Sequence, residues 1–387
     1  MKKIYSIVIF SYFLISCSTE TESSTDRIIL DMKEIQSVAL SEIANSIDYI
    51  FLDRVSDVFV GEVFKVELFQ DEYYVFDRRF SNEIFVFNEE GVFQRRIGTK
   101  GDGPEEYGEA NDFLILEDRS QLVILDNQEG YLSLIYYSMD GKFIKKISAQ
   151  LFADLFEFIA PGLFVFYTSN QCNDEFCAAF FTTDLNLEIV DSSIPLVEFY
   201  EEFWIEPLRP MGQHNGSVLL TNYGTRFIYK TDNLGRLGIA YEVDFLGRNS
   251  NEILESANYR SVDELIKDYS NKNLAFHIEE LVALDGGFFF SFQFGKKYVN
   301  AFIDQKKDKT YLFERLENDF DLVPFKFSVK GQSGNTIFMT INPEEFEFFY
   351  ALLEKRGEEI PKRVIEIKNR LSLDSNPVIV KIEMSRE

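Results

Sequence analysis

The chain has 387 residues, 45% of them hydrophobic and 27% charged, with a formal net charge of −26. That charge repels phosphate backbones and acidic headgroups, which excludes nucleic acid and a membrane-surface patch as partners. The 40 Phe and 19 Tyr, against a single Trp, suit strands better than helices.

At the N-terminus, Lys2 and Lys3 precede an apolar run from Ile4 to Ile15 that is too short to cross a bilayer, so residues 1–16 read as a signal peptide. The run ends in Leu14-Ile15-Ser16-Cys17, which is similar to the lipobox of bacterial lipoproteins. That likeness implies a diacylglycerol on the Cys17 thiol; the alternative is a cysteine that merely ends the run. Loss of Lys2 and Lys3 with the signal deepens the net charge from −26 to −28. No later apolar run is long enough to span, so the lipid is the expected membrane attachment. Residues 18–26 are polar and lack aromatics, so they bury too little apolar surface to order themselves; residues 17–45 read as a lipidated N-terminus with a flexible tether and lead-in. In some bacterial groups an acidic stretch after the lipidated cysteine resembles a signal for export to the outer face of the outer membrane, which implies the cell surface rather than the periplasmic face.

An internal repeat organises residues 46–387. One copy runs Tyr74-Val-Phe-Asp77, Ile84-Phe-Val-Phe-Asn88 and Gly91-Val-Phe93 to Ile97; the next runs Val123-Ile-Leu-Asp126, Leu134-Ile-Tyr-Tyr137 and Gly141-Lys-Phe143 to Ile147. Three matched positions, Gly91 with Gly141, Phe93 with Phe143 and Ile97 with Ile147, share one offset of 50. Three or four short strands joined by glycine turns make a propeller blade. Weaker copies follow at Leu163–Val190, Val218–Tyr241 and Gly287–Phe313. A sixth combines Phe325–Val329, Thr336–Ile341 and Val378–Met384. The expected fold is therefore an all-β, six-bladed β-propeller, closed by Ile47–Leu52 pairing with the last blade. A seven-bladed ring or an open sandwich is the alternative. Two stretches, about 251–280 and 343–370, carry Glu, Lys and Leu at helical spacing and read as helical insertions.

The segment Gly101-Asp-Gly103-Pro104-Glu-Glu106-Tyr107 resembles the G-x-G-P-x-E-[YF] signature of the bacterial six-bladed β-propeller lipoproteins, relatives of NHL-repeat propellers. Asn376 to Ile382 is similar to that family's closing strand. The resemblance implies the fold and an envelope location, and it implies no assigned activity. From the residues themselves, Gly101 and Gly103 permit positive φ and Pro104 stiffens the joining loop. Asp102, Glu105 and Glu106 offer oxygen ligands for Ca²⁺, although no D-x-D-x-D-G loop accompanies them. An ordinary acidic turn, with no metal or other cofactor, is the plainer expectation.

With Cys17 assigned to lipid, Cys172 and Cys177 flank a short loop, and outside the cytoplasm they are expected to pair as a disulfide contributing about 2 kcal/mol. Zinc would need further ligands, and the chain offers only His214 and His277. His214 reads as a turn residue; His277 falls in the first helical insertion beside Glu279 and Glu280.

Blade strands alternate in direction, so loops after each second strand share a face with the loops between blades. The second-to-third-strand loops carry Arg78 and Arg79, the Cys172–Cys177 loop, Tyr223 with Arg226, and Lys296 with Lys297. As a locally basic face on an acidic protein, these residues would receive an anionic or hydroxyl-rich ligand such as an acidic glycan or a peptide carboxylate. As solvated turn charges, they would have no common target. No G-x-S-x-G elbow or H-E-x-x-H helix is present, and 65 acidic residues offer too many pairs to select one. The expected role is a non-catalytic module binding a glycan or peptide, or serving as a scaffold. A deep central pocket with a close carboxylate pair would favour a glycan-active hydrolase or lyase. An apolar patch including Phe346-Glu-Phe-Phe-Tyr350 would favour a protein partner in the envelope.

Overall fold

The computed structural model describes residues 25–55, 58–128, 131–159, 162–171, 176–196, 209–214, 216–249, 259–357 and 359–385. The signal peptide, Cys17, most of the tether and Cys172 lie outside the described residues.

The strands form six antiparallel sheets arranged as the blades of a propeller. From the axis outward, blade 1 consists of Lys65–Phe69, Glu72–Asp77, Glu83–Asn88 and Phe93–Ile97. Blade 2 repeats this with Ala110–Leu116, Gln121–Gln128, Tyr131–Ser138 and Phe143–Ala149. The middle strands are packed by neighbouring blades on both faces, which is why they read as near-continuous apolar runs, Tyr73 to Phe76 and Leu122 to Leu125, all buried. The outermost strands alternate or lie exposed. Asp77 and Asp126, equivalent positions of the repeat, end the second strands and turn inward to hold the loop leading into their own blade. Asp77 accepts from the Gly61 amide at 2.8 Å, and Asp126 from the Glu109 amide at 3.0 Å. The repeated aspartate is a clamp of the architecture.

Blade 3 begins with Leu155–Ile159, blade 4 with Met211–His214 and blade 5 with Ala275–Leu284. Blade 6 takes Gly331–Ser333, Thr336–Ile341 and Val378–Met384 from the C-terminal region and its outer strand, Ala44–Phe51, from the N-terminal region. The expected closure is present: Phe51 pairs with Val378, Ile50 with Ile379 and Ile47 with Ile382. The ring joins without an exposed edge where Gly331 meets blade 1. A Cβ there would lie 1.8 Å from the Val66 carbonyl oxygen, so only glycine allows the contact.

Two features depart from the sequence reading. The lead-in is ordered from Asp26: Asp26–Ile29 adds a parallel fifth strand to blade 4, and Gln36–Ala39 adds one to blade 5. Leu30 and Val38 are fully buried and staple this strap to the rim. The first insertion is helical only over α1, Val262–Lys272, capped by Ser261. Ala275–Glu280, expected to be helix, is instead the first part of the innermost strand of blade 5, Ala275–Leu284, because its flanking residues are buried between blades rather than on one helical stripe. The second insertion holds two helices, α2 at Pro343–Arg356 and α3 at Lys362–Arg370, as its spacing indicated. Phe346 and Leu353 of α2 join the core of blade 6, whereas Phe348 is exposed.

Candidate functional site

The innermost strands carry charges where a buried strand would carry apolar groups. In Lys65-Val-Glu67-Leu, the side-chain period of two sends Val66 into the blade and Lys65 and Glu67 toward the axis. Lys65 is 7% exposed. Its Nζ lies 3.1 Å from Asp112 Oδ1 of blade 2, 2.7 Å from the Phe113 carbonyl and 3.5 Å from Glu67. Asp112 also accepts from the Phe156 amide of blade 3 at 3.1 Å, so one carboxylate ties three blades together. Burial works against the Lys65 charge, but the carboxylates of Asp112, Glu157 and Glu67 outweigh it and hold the ammonium above its usual range. Burial pushes the Glu67 carboxyl up to about 7, a rise that Lys65 opposes and Glu157 reinforces.

This septum divides the axial space. On the face bearing the interblade loops lies a funnel of about 610 Å³; on the other face lies a cavity of about 380 Å³. Both are lined by Glu157 and Arg209, so the two meet along the axis. The funnel has an apolar side formed by Phe64, Leu155, Phe156, Met211 and Phe327. Its size and mixed lining are those of a small-molecule site.

Blade 5 supplies the unusual part of the wall. Consecutive strand residues normally face opposite ways, yet Glu279 and Glu280 both line the funnel. The inner strand shifts register on either side of Glu279, and His277 and Glu280 adopt left-handed backbone angles, φ 56° and 53°. Each such angle costs a non-glycine residue about 1–3 kcal/mol, and bulges of this kind gather beside functional sites. The geometry closes off Glu280: its Oε2 lies 3.1 Å from the hydroxyls of both Ser291 and Tyr298, and its Oε1 3.2 Å from Ser328 Oγ. Glu279 keeps its face to the funnel. Burial, followed by the neighbouring Glu280 charge, pushes its carboxyl up to about 8, against a smaller opposing effect of the Tyr298 hydroxyl. His277 stacks on Tyr223 with ring centroids 3.8 Å apart, and burial lowers its imidazole to about 3, leaving it neutral.

The residues expected to form a basic face are not gathered into one. Arg79 lines the funnel and pairs with Glu62 at 3.7 Å. Arg78 lies over the Phe64 ring and 3.5 Å from Asp154. Tyr223 packs on His277. Arg226 pairs at 2.9 Å with Glu242, and Lys297 pairs with Glu314, both on the outer strands of their own blades and away from the axis. Lys296 is exposed on its turn. Cys177 is described, and its expected partner Cys172 lies outside the described residues.

The signature loop acts on itself. Glu106 folds back so that its Oε2 accepts from the Gly103 amide at 2.9 Å, and a Cβ on Gly101 would lie 2.0 Å from that oxygen. The glycines therefore serve close approach; neither has the positive φ expected of them. Tyr107 is buried, and the Tyr137 hydroxyl holds the Glu105 carbonyl at 2.8 Å. With Glu106 so engaged, no group of three or more His, Cys, Asp or Glu side chains is arranged to hold a metal among the described residues.

The sequence reading missed Lys65, Asp112, Arg209, Glu279, Glu280, Lys326 and Lys330. The period-two placement of Lys65 and Glu67 within an apolar strand was the available signal. His214, read as a turn residue, ends the inner strand of blade 4 and lines the lower cavity.

Fold and site together define a six-bladed propeller with a charged funnel on its axis. The chain belongs to the family described as a domain of unknown function, DUF4934, whose model matches residues 27–383. It matches no curated protein. Among solved structures it is similar to a Bacteroides fragilis NCTC 9343 protein classed as exported, at 15% identity and a TM-score of 0.74, over 93% of this chain and 100% of that one. It is also similar to a member of the duf4221 family from Bacteroides vulgatus ATCC 8482, at 12% identity and a TM-score of 0.51, over 88% of this chain and 97% of that one. At these identities the likeness speaks for the fold alone.

Proposed function

We propose that this chain is an exported, lipid-anchored binding protein whose recognition site is the axial funnel. The observation that carries the reading is the funnel's lining: charged groups from all six blades converge on one cavity with an apolar side, a construction that a purely structural ring does not require. The signal-like N-terminus, the Cys17 motif and the exported neighbour support attachment in the envelope, at the outer membrane and facing the cell surface. In that setting Cys172 and Cys177 form a disulfide. The ligand is a small polar molecule, a sugar or a peptide end, and no resident metal or cofactor takes part.

The test is a calorimetric screen of the chain from Ser18 onward against acidic and neutral oligosaccharides and short peptides, repeated with Arg209→Ala and Lys330→Ala. Binding weakened about tenfold or more by either substitution supports the funnel; binding indifferent to both contradicts it.

A second reading draws on the adjacent Glu279 and Glu280 carboxyls. A carboxyl that holds its proton near neutral pH beside one that is fixed by hydroxyls is the arrangement acid–base enzymes use. Turnover of any ligand found, lost in Glu279→Gln, would favour this reading over simple binding.

A further inference from the structure

The funnel lining carries five acidic and five basic side chains, and with the Glu279 carboxyl protonated the bases exceed the charged acids by one. Asp112 is engaged by Lys65, and Glu62 by Arg79. Glu280 is enclosed by three hydroxyls, and Glu157 faces the side-chain amide of Gln213 at 3.2 Å. Three cations remain. Arg209, Lys326 and Lys330 line the same cavity and make no ion pair among the described residues. The Arg209 Nε is buried without a hydrogen-bond partner among them. Burial lowers the Lys330 ammonium, the Glu62 and Glu280 carboxylates oppose that, and Arg209 and Lys326 add to the lowering. Three cations that make no ion pair among the described residues, set against the two carboxylates Glu157 and Glu280, leave the cavity able to take one more negative charge.

We propose that the ligand carries a carboxylate, which docks among Arg209, Lys326 and Lys330 and accepts a hydrogen bond from the Glu279 carboxyl. This rests on the funnel being the recognition site. The bulge in blade 5 is what makes the contact available, since a regular strand would turn one of the two glutamates away. An acid donating to a carboxylate makes a short, charge-assisted hydrogen bond, stronger than a neutral one. Once ionised, the same group repels the ligand.

The groups facing Glu279 allow that switch to be isolated. On its own strand stand neutral His277 and Glu280; across the blade stands Tyr298; from blades 3 and 4 come Tyr167, Tyr223 and Arg209; from blade 6 come Lys326, Lys330 and Ser328. Burial holds the three phenols above their usual range, so they stay neutral through pH 9.5. Lys330, and Glu67 on the septum with its carboxyl pushed up to about 7, also titrate toward weaker anion binding as pH rises; Lys330→Arg removes the first titration while keeping the charge, and Glu67→Gln removes the second.

Two matched probe pairs name the ligand's source: trigalacturonate against its methyl ester, and trialanine against its C-terminal amide. Affinities are measured by calorimetry at pH 6 and pH 9.5 with the chain from Ser18 onward. We expect one free carboxylate to bind about tenfold or more tightly than its neutral counterpart at pH 6, and to lose about tenfold at pH 9.5. Glu279→Gln, a neutral amide that still donates, should flatten the pH dependence, whereas Lys330→Arg and Glu67→Gln should each retain it. Equal binding of the neutral forms would overturn the proposal and leave the funnel as a site for neutral ligands, and a pH loss that survives in Glu279→Gln would overturn it by removing Glu279 from the contact. Binding of no probe at either pH would overturn both this inference and the reading on which it rests.

Discussion

Glu279→Gln should stabilise the protein at alkaline pH by about 2–4 kcal/mol and leave it unchanged near pH 4. The carboxyl titrates near 4.5 when the chain is unfolded and at about 8 in the folded protein, because burial and the Glu280 charge disfavour its ionised form. Below pH 4.5 both states hold the proton and the group contributes nothing. Between 4.5 and 8 the unfolded chain releases the proton while the folded protein retains it, so wild-type stability falls. Above 8 the full penalty applies. The amide has no proton to lose and escapes the decline. The range is set below the full difference in proton affinity because the group faces the open funnel on one side. Urea unfolding of both proteins at pH 4, 6.5 and 9 checks this. A difference that is constant with pH, or a variant less stable at pH 9, would show that the carboxyl is not held in the environment described. The raised Glu67 carboxyl is common to both proteins and cancels in the comparison.

The opposite effect is expected at Lys65. Lys65→Met should cost about 3–5 kcal/mol, because it leaves Asp112 and Glu67 facing one another in the septum without the cation that compensates them. The loss should grow with pH. Without Lys65 the Glu67 carboxyl, already at about 7, rises further, so at acid pH it is neutral and the damage is smaller, whereas near pH 9 both carboxylates are forced to share the space. Adding Asp112→Asn should recover part of the loss, since the two residues act as one unit and their separate costs do not add. Thermal and urea unfolding of the two single variants and the double variant measure this coupling. Strict additivity would mean that the 3.1 Å contact carries no structural energy.

Both predictions concern residues that sequence patterning passed over, and the reason is physical. The fold was legible because blade packing imposes a repeat: the same apolar middle strands, the same clamp aspartate at Asp77 and Asp126, the same turn glycine at Gly91 and Gly141. The closing strand at Ile47 could be placed because a ring must cover its edge. The site was not legible from loop charges, because a loop charge can turn either toward the axis or outward. Arg79 turns to the funnel, while Arg226 and Lys297 turn to Glu242 and Glu314 on the rim. Glu279 was hidden for a different reason. The run Ala275–Leu284 breaks strand periodicity at a bulge, and a bulge that brings two glutamates to one side imitates the spacing of a helix. The place where local pattern failed is the place where the backbone is strained.

The N-terminal strap adds a constraint that composition alone concealed. Apolar residues are interspersed with polar ones from Arg27 to Ile47, and of these Leu30 and Val38 are fully buried against the outer strands of blades 4 and 5. A lipid at Cys17 would therefore be joined to a rigid rim within nine residues. That short connection limits how far the funnel can move from its anchor.

The most direct test of the funnel as recognition site is hydrogen–deuterium exchange with and without the tightest probe from the screen. Protection is expected at the blade 5 bulge, residues 277–280, and at the blade 6 lead-in, residues 325–330, with the turns at Arg226 and at 296–297, which face the rim, unchanged. Protection of those turns in place of the bulge would move the site to the outer face of the disc and contradict the account.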